Sequence, residues 1–345
     1  MAYTANGVSV IDNNRVLVVD GVTVISNTRT AVGVFANNTT NLSPSTFQGS
    51  VSGYAAGGFP TTNTIDKFPF SADTNATDVG DLTAGSYGPT GGSSTTHGYV
   101  AGGYISGGNT KRIQKFPFSV DTNSTNIANL QLATRQQGGQ SSETNGYISG
   151  GRADPPNTAR IEKYSFASDS DGVTIGNLTV VRQQSGGHSS TTHGYTTGGF
   201  NFPPDLIPLN TIDRFPFASD TNASDVGDLT VQRYGTGGTQ SSTASGYTSG
   251  GVSPTPTYVN TIDKFPFATN TNATDVGDLT AAKQALFGNS STTSGYASGG
   301  ITNPAVVQTV IEKFPFASDT NASDIGNLTV ARHSSTAAHQ ARSLS

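Results

Sequence analysis

Six times along its 345 residues the chain writes Gly-Tyr, then a run of small residues that ends in Gly-Gly. The copies begin at Gly53, Gly98, Gly146, Gly194, Gly246 and Gly295, so successive starts lie 45, 48, 48, 52 and 49 residues apart. A unit returning at near-constant spacing is one fold repeated. Such units bury apolar surface chiefly against their neighbours. This accounts for a composition of 33% hydrophobic residues and 42 glycines, which without the period would suggest disorder.

After Gly-Gly each unit passes through a loop of variable length into Ile-acid-base-Phe-Pro-Phe. The instances are Ile65–Phe70, Ile212–Phe217, Ile262–Phe267 and Ile311–Phe316. Gln114 replaces the acid in Ile113–Phe118, and Ile161–Phe166 reads IEKYSF. Proline donates nothing to a ladder, so a bend, bulge or edge is expected between the two aromatics. Acid and base, being adjacent, point to opposite faces of an extended strand. A turn rich in Asp and Asn follows (Asp73 to Asp78 in the first unit) and leads into a short strand at Val79–Thr83. The unit closes on Leu-Thr-x-x-Arg or Lys, with Arg135, Arg182, Arg233, Lys283 and Arg332 in that place and Gly85 in the first unit.

Four short strands per unit make one propeller blade. Small residues suit the crowded strands near an axis, while Tyr and Phe fill the layers between blades. The order Arg, small residues, Tyr, Gly-Gly, then an aromatic strand resembles the kelch repeat over roughly residues 45–340. There is no Trp, and Leu82, Leu130, Leu178, Leu229, Leu279 and Leu328 are expected at the position of the outer aromatic. The expectation is an all-β, six-bladed kelch-like β-propeller over 46–345, preceded by a small N-terminal β segment. The chain end, Arg332 to Ala341, reads as the start of a seventh unit, and it is expected to supply the innermost strand of the first blade.

Residues 1–45 follow another pattern. Val8 to Val16 and Val22 to Thr30 align at an offset of 14, each an alternating apolar run reaching an Arg, Arg15 and Arg29. Asp20-Gly21 between them is a turn signal. The segment is too small for its own core, which points to pairing with copies from other chains, a homo-oligomer. The Val-Ile-Asp-Asn-x-Arg phrase resembles N-terminal segments of tail-fibre and related virion proteins of marine bacteriophages. The Phe-Pro-Phe-Ala-Ser-Asp-Thr-Asn-Ala repeat is similar to virion-associated repeats of cyanophages. This resemblance implies virion localisation, docking on other virion proteins through the segment holding Arg15 and Arg29, and a displayed module that meets a host-surface glycan.

Chemistry is sparse. Cysteine is absent, and the net charge of −5 with thinly spread basic residues argues against nucleic acid. No apolar run approaches a membrane span, so no membrane insertion is expected, and the first twenty residues do not read as a secretory signal. His97 and His193 stand where other units have Ser52, Asn145, Ser245 and Ser294, as in a solvated turn. Sets such as Asp73, Asn75 and Asp78 offer oxygens within six residues, which calcium would suit. Recurrence of the set favours Asx-turns at a blade corner, and the same turns create the Asn-x-Ser/Thr sequons. No catalytic constellation stands apart from the repeats, so no enzyme, cofactor or metal is expected.

The longest insertions follow Gly-Gly and should share one face. Their Phe202, Leu206, Tyr258 and Val306 are the expected binding-face residues. The favoured reading is a non-enzymatic virion structural protein, a fibre or decoration module for attachment. A propeller lyase or hydrolase acting on polysaccharide, and a cellular adhesin or scaffold, stand beside it.

Overall fold

The computed structural model describes residues 49–154, 156–202, 206–236, 238–334 and 336–340, together with four short N-terminal strands. Of 238, 239, 336–340 and those four strands, the backbone alone is described. The chain divides into two units, Met1–Ser43 and Pro44–Ser345. In the first, Tyr3–Ala5 pairs with Val8–Ile11, and Leu17–Val19 pairs with Val22–Ile25, both antiparallel. Arg15 and Arg29 lie outside the described residues.

The second unit is all-β, with no helix among the described residues. Its main components are antiparallel sheets of four short strands, a propeller-like arrangement. The second sheet shows the pattern: Thr90–Ser93, His97–Ala101, Arg112–Pro117 and Thr125–Asn129, joined in chain order. The third, fourth, fifth and sixth sheets begin at Gly138, Gly186, Gly238 and Phe287 and repeat this order. The first sheet differs in its leading strand. Ser52–Ala56, Thr64–Pro69 and Thr77–Asp81 are joined there by Thr336–Gln340, which pairs antiparallel with Ser52–Ala56.

The Gly of Gly-Tyr has a steric reason. Gly98 lies directly across from Phe116, and a Cβ on it would sit 2.3 Å from the ring's Cζ. The ring covers the neighbouring backbone, so only glycine fits beneath it. The first Gly of Gly-Gly has a different one: Gly102, at φ +65°, turns the chain out of the strand in a left-handed conformation.

The irregularity expected between the two aromatics takes the form of a strand end followed by a bend, and a bulge lies elsewhere in the same strand. Pro69, Pro117, Pro216, Pro266 and Pro315 each end their strand, where a missing donor costs no ladder bond. The register shift lies earlier, between Ile65 and Asp66 and at the matching step of every other sheet. This bulge turns two consecutive residues inward. Ile65 and Asp66 are both wholly buried, whereas Lys67 is half-exposed.

Contacts between successive sheets repeat as faithfully as those within them. Each Gly-Tyr tyrosine stacks on the second aromatic of the next sheet: Tyr54 on Phe118 at 5.1 Å between centroids, Tyr99 on Phe166 at 4.5 Å, and Tyr296 of the sixth sheet on Phe70 of the first at 4.7 Å. Leu82, Leu130, Leu178, Leu229, Leu279 and Leu328 are buried in the same layers. The Asp/Asn turns are latches. Asn123 Oδ1 accepts the Asp81 N–H at 3.0 Å, and Asn75 Oδ1 accepts the Asn327 N–H at 3.0 Å. Lys67 reaches Asp121 at 2.9 Å, and Lys313 reaches Asp73 at 2.9 Å. Asp78 accepts the Gly80 N–H at 3.1 Å, an Asx-turn. Asp73, Asn75 and Asp78, the oxygens that calcium would suit, thus each have a protein donor.

The buried acid of one sheet receives the closing segment of the sheet before it. Asp213 accepts the Thr179 N–H at 2.9 Å, its hydroxyl at 2.6 Å and Arg182 Nη2 at 2.9 Å. Arg233 with Asp263, Lys283 with Glu312, and Arg332 with Asp66 repeat this pair. Arg135 does not. The carbonyls accepting from the second glycine of Gly-Gly align Ser86, Thr134, Arg182, Arg233, Lys283 and Arg332. Arg135 therefore lies one place beyond the buried cation position, which Ser86 and Thr134 fill in the first two repeats.

Candidate functional site

The displaced register puts Arg135 in a second set of equivalent residues. Tyr87, Arg135, Gln183, Tyr234, Gln284 and His333 each form an antiparallel bridge with the residue after Gly-Gly in the following repeat. The partners are Tyr104, Arg152, Phe200, Val252, Ile301 and, for His333, Phe59 of the first repeat. One residue further on, the backbone turns left-handed in every copy. Gln136, Gln184, Ala285 and Ser334 have φ of 58°, 53°, 55° and 50°, and Gly88 and Gly235 have 62° and 68°. Non-glycine residues resist this conformation by about 1–2 kcal/mol each.

A hydrogen bond at each of these residues offsets that cost. Gln136 N–H donates to Gly88 C=O at 2.7 Å, Gln184 to Gln136 at 2.8 Å and Gly235 to Gln184 at 3.0 Å. Ala285 donates to Gly235 at 2.8 Å, Ser334 to Ala285 at 2.6 Å, and Gly88 to Ser334 at 2.8 Å. A depression of ≈ 70 Å³ lies at these residues, with Gln137 and Ser185 in its wall.

Beside it opens a cleft of ≈ 440 Å³, lined by Phe59, Thr61, Tyr87, Tyr104, Arg135 and His333. Its volume is in the range of small-molecule clefts. Phe59 is 48% exposed and Tyr104 37%, so both present ring surface to solvent. Phe59 lies edge-on to Tyr87 at 5.9 Å and 5.2 Å from the His333 ring. Burial lowers the pKa of His333, which leaves its imidazole neutral at neutral pH. Gln136 Nε2 donates to the Tyr87 hydroxyl at 2.7 Å and fixes that ring from behind.

Arg135 is mostly buried, with its guanidinium carbon 4.8 Å from the centre of the Tyr104 ring. Nη1 donates to Asn109 Oδ1 at 2.7 Å. The nearest carboxylate, Asp154, is 4.0 Å away and stands 3.8 Å from Arg152 as well. Burial and then the charge of Arg152 lower the pKa of Arg135, with Asp154 opposing. Here the repeats differ most. An aromatic wall and a weakly neutralised cation occupy one part of the rim, while elsewhere the equivalents are Gln183 with Phe200, Tyr234 with Val252, and Gln284 with Ile301.

The four residues expected from sequence fall outside this cleft. Phe202, Leu206 and Val306 are exposed, at 45%, 47% and 54%. Tyr258 bridges to Val252, and its hydroxyl accepts from Gln284 Nε2 at 2.9 Å. No hydrogen bond or ring contact joins any two of the four. His97 and His193 open their strands rather than lying in a turn; both are half-buried and held by Thr96 and Thr192 at 2.9 and 2.8 Å. His188 is wholly enclosed between sheets, with Nδ1 3.2 Å from the Gln240 carbonyl and Nε2 3.1 Å from Thr197 Oγ1. Among the described residues no cluster of three His, Asp or Glu is placed to hold a metal ion.

No protein-family model matches the chain, and no curated protein matches it either.

Proposed function

We propose that residues 46–345 form a closed, six-bladed β-propeller that acts as a non-enzymatic binding module and presents the Phe59–Tyr104–Arg135 cleft to a glycan. Support for six blades in a ring comes from the backbone bonds that pass from Gly88 through Gln136, Gln184, Gly235, Ala285 and Ser334 back to Gly88. The Asn75 latch and the Tyr296–Phe70 stack join the last sheet to the first as other sheets are joined. A density map with another blade number, or an open array, overturns this part.

The observation that carries the binding role is the exposed aromatic wall of Phe59 and Tyr104 in the cleft. Flat rings suit the apolar C–H face of a pyranose, and polar groups at the rim suit its hydroxyls. Among the described residues the cleft is lined by no carboxylate, with Asp154 the nearest at 4.0 Å from Arg135, so the acid pair of a glycosidase has no counterpart there. The kelch-like and phage-like phrases support a virion fibre or decoration module, docked on other virion proteins by its N-terminal segment and displayed toward a host-surface glycan.

The test is titration of the full chain against host-surface polysaccharide, beside Phe59→Ala and Tyr104→Ala. Each substitution is expected to weaken binding about tenfold while far-UV circular dichroism stays unchanged. Release of reducing ends or of unsaturated sugars overturns the non-enzymatic reading. Mass spectrometry of purified particles tests the virion setting, and absence of the chain from them overturns it.

A further inference from the structure

We infer that the cleft selects an acidic sugar: a pyranose ring lies against Phe59 and Tyr104 while its carboxylate or sulfate group meets Arg135. This rests on the glycan-binding reading and names the class of glycan.

The first support is what Arg135 lacks. Arg182, Arg233 and Arg332 are fully buried, and each is in direct contact with a carboxylate. Arg135 is mostly buried, at 11% side-chain exposure, but less enclosed than those three, and its closest carboxylate is 4.0 Å away and is shared with Arg152. Two guanidiniums face one half-exposed acid, so the site carries a net positive charge. Among the described residues Asn109 Oδ1 is the one hydrogen-bond acceptor of the Arg135 head. Guanidinium has five donors, and its planar fork matches a carboxylate or sulfate. A cation withdrawn from water without a close counter-ion is costly, and a bound anion removes that cost.

The second support is that the fold does not need the charge. Tyr87, Gln183, Tyr234, Gln284 and His333 make the same backbone bridge with neutral side chains. Arg135 is the single cation at this position. Its ring neighbour holds it in place before any ligand arrives: Tyr104 lies under the guanidinium at 4.8 Å. The same ring, 37% exposed, is also wall surface of the cleft. One bound sugar can thus stack on the aromatic wall and place its anionic group on the adjacent fork.

Calorimetric titration of the full chain with tetragalacturonate, its carboxyl-reduced tetrasaccharide and a sulfated galactan tetrasaccharide tests this. An acidic form is expected to bind about tenfold tighter than the reduced one, the usual worth of a hydrogen-bonded charge. The carboxylate and sulfate arms identify which anion the fork prefers. Arg135→Gln should abolish that preference. Glutamine already stands at this place in Gln183 and Gln284, so the variant is expected to fold. Asp154→Asn, which removes the competing carboxylate, should tighten acidic binding several-fold without touching Arg135. Equal affinity for acidic and reduced probes overturns the inference and leaves the glycan reading intact. Failure of all three probes to bind overturns both.

Discussion

The junctions between sheets fall into two kinds. From the third sheet round to the first, each junction holds a buried ion pair: Arg182–Asp213, Arg233–Asp263, Lys283–Glu312 and Arg332–Asp66. The two earlier junctions keep the same backbone geometry without it. Between the first and second sheets the cation is replaced by Ser86 and the acid by Gln114, whose Oε1 accepts Thr83 N–H at 2.9 Å, Thr83 Oγ1 at 2.8 Å and Ser124 Oγ at 3.0 Å. An amide oxygen thus does the carboxylate's work. Between the second and third sheets the exchange is incomplete. Thr134 holds the cation's place, but Glu162 remains, buried to 2%, on the Gln131 and Leu132 N–H groups at 2.8 and 3.2 Å, with Arg160 at 3.6 Å. The difference teaches that the repeat requires an acceptor at this site, and that the ion pair is an addition. It is missing next to the cleft, where the arginine serves the rim.

Breaking an ion-paired junction should give the largest effect. Arg182→Met leaves Asp213 charged and enclosed, and the loss is expected to be about 3–5 kcal/mol, read as a lower urea midpoint. Adding Asp213→Asn should recover much of that loss, because an amide serves at Gln114. If the double variant is as weak as the single one, the junctions are not interchangeable.

Acid sharpens the comparison from both sides. His188, between the fourth and fifth sheets, is held neutral by burial, with its pKa lowered from 6.5 to about 4. The folded form therefore binds fewer protons than the unfolded chain between those values. Stability is full above pH 6.5 and falls by about 3 kcal/mol as the pH drops toward 4. His188→Gln, the residue of the matching Gln140 and Gln240, should flatten this acid limb. An unchanged midpoint profile from pH 7 to 4 would sink the assignment.

Glu162 has the opposite sign and the smallest expected effect. Burial, the dominant cause, raises its pKa, partly offset by the Gln131 N–H and Arg160. The folded protein binds this proton more tightly than the unfolded chain does. Its contribution is present below the ordinary carboxylate range and is lost as the pH rises through the folded value. Glu162→Gln should therefore raise the urea midpoint slightly at pH 7 and leave it unchanged in acid. A variant less stable at neutral pH would show that the carboxylate is needed as a charge.

The repeat period and the four strands per unit were legible, because each depends on local spacing. The aromatic layers were legible for the same reason. The bulge at Ile65–Asp66 was not, since Pro looked like the irregular residue and simply ends the strand. Arg135 was placed with Arg182 although it stands five residues after its leucine, Leu130, while Arg182 stands four after Leu178. That one-residue difference was the available signal. The cleft was beyond reach, because Phe59, Tyr87, Tyr104, Arg135 and His333 are scattered along the chain and meet only through the bridges between repeats.

The partnership of Thr336–Gln340 with Ser52–Ala56 also sets an order of events in synthesis. The strand made early must wait, with its row of N–H and C=O groups on that side bare, until residues 336–340 leave the ribosome. During that wait the tail of any other copy fits the vacancy equally well. Trading of tails between two molecules is thus the misassembly to which this architecture is most open, and crowded polysomes are where it should arise.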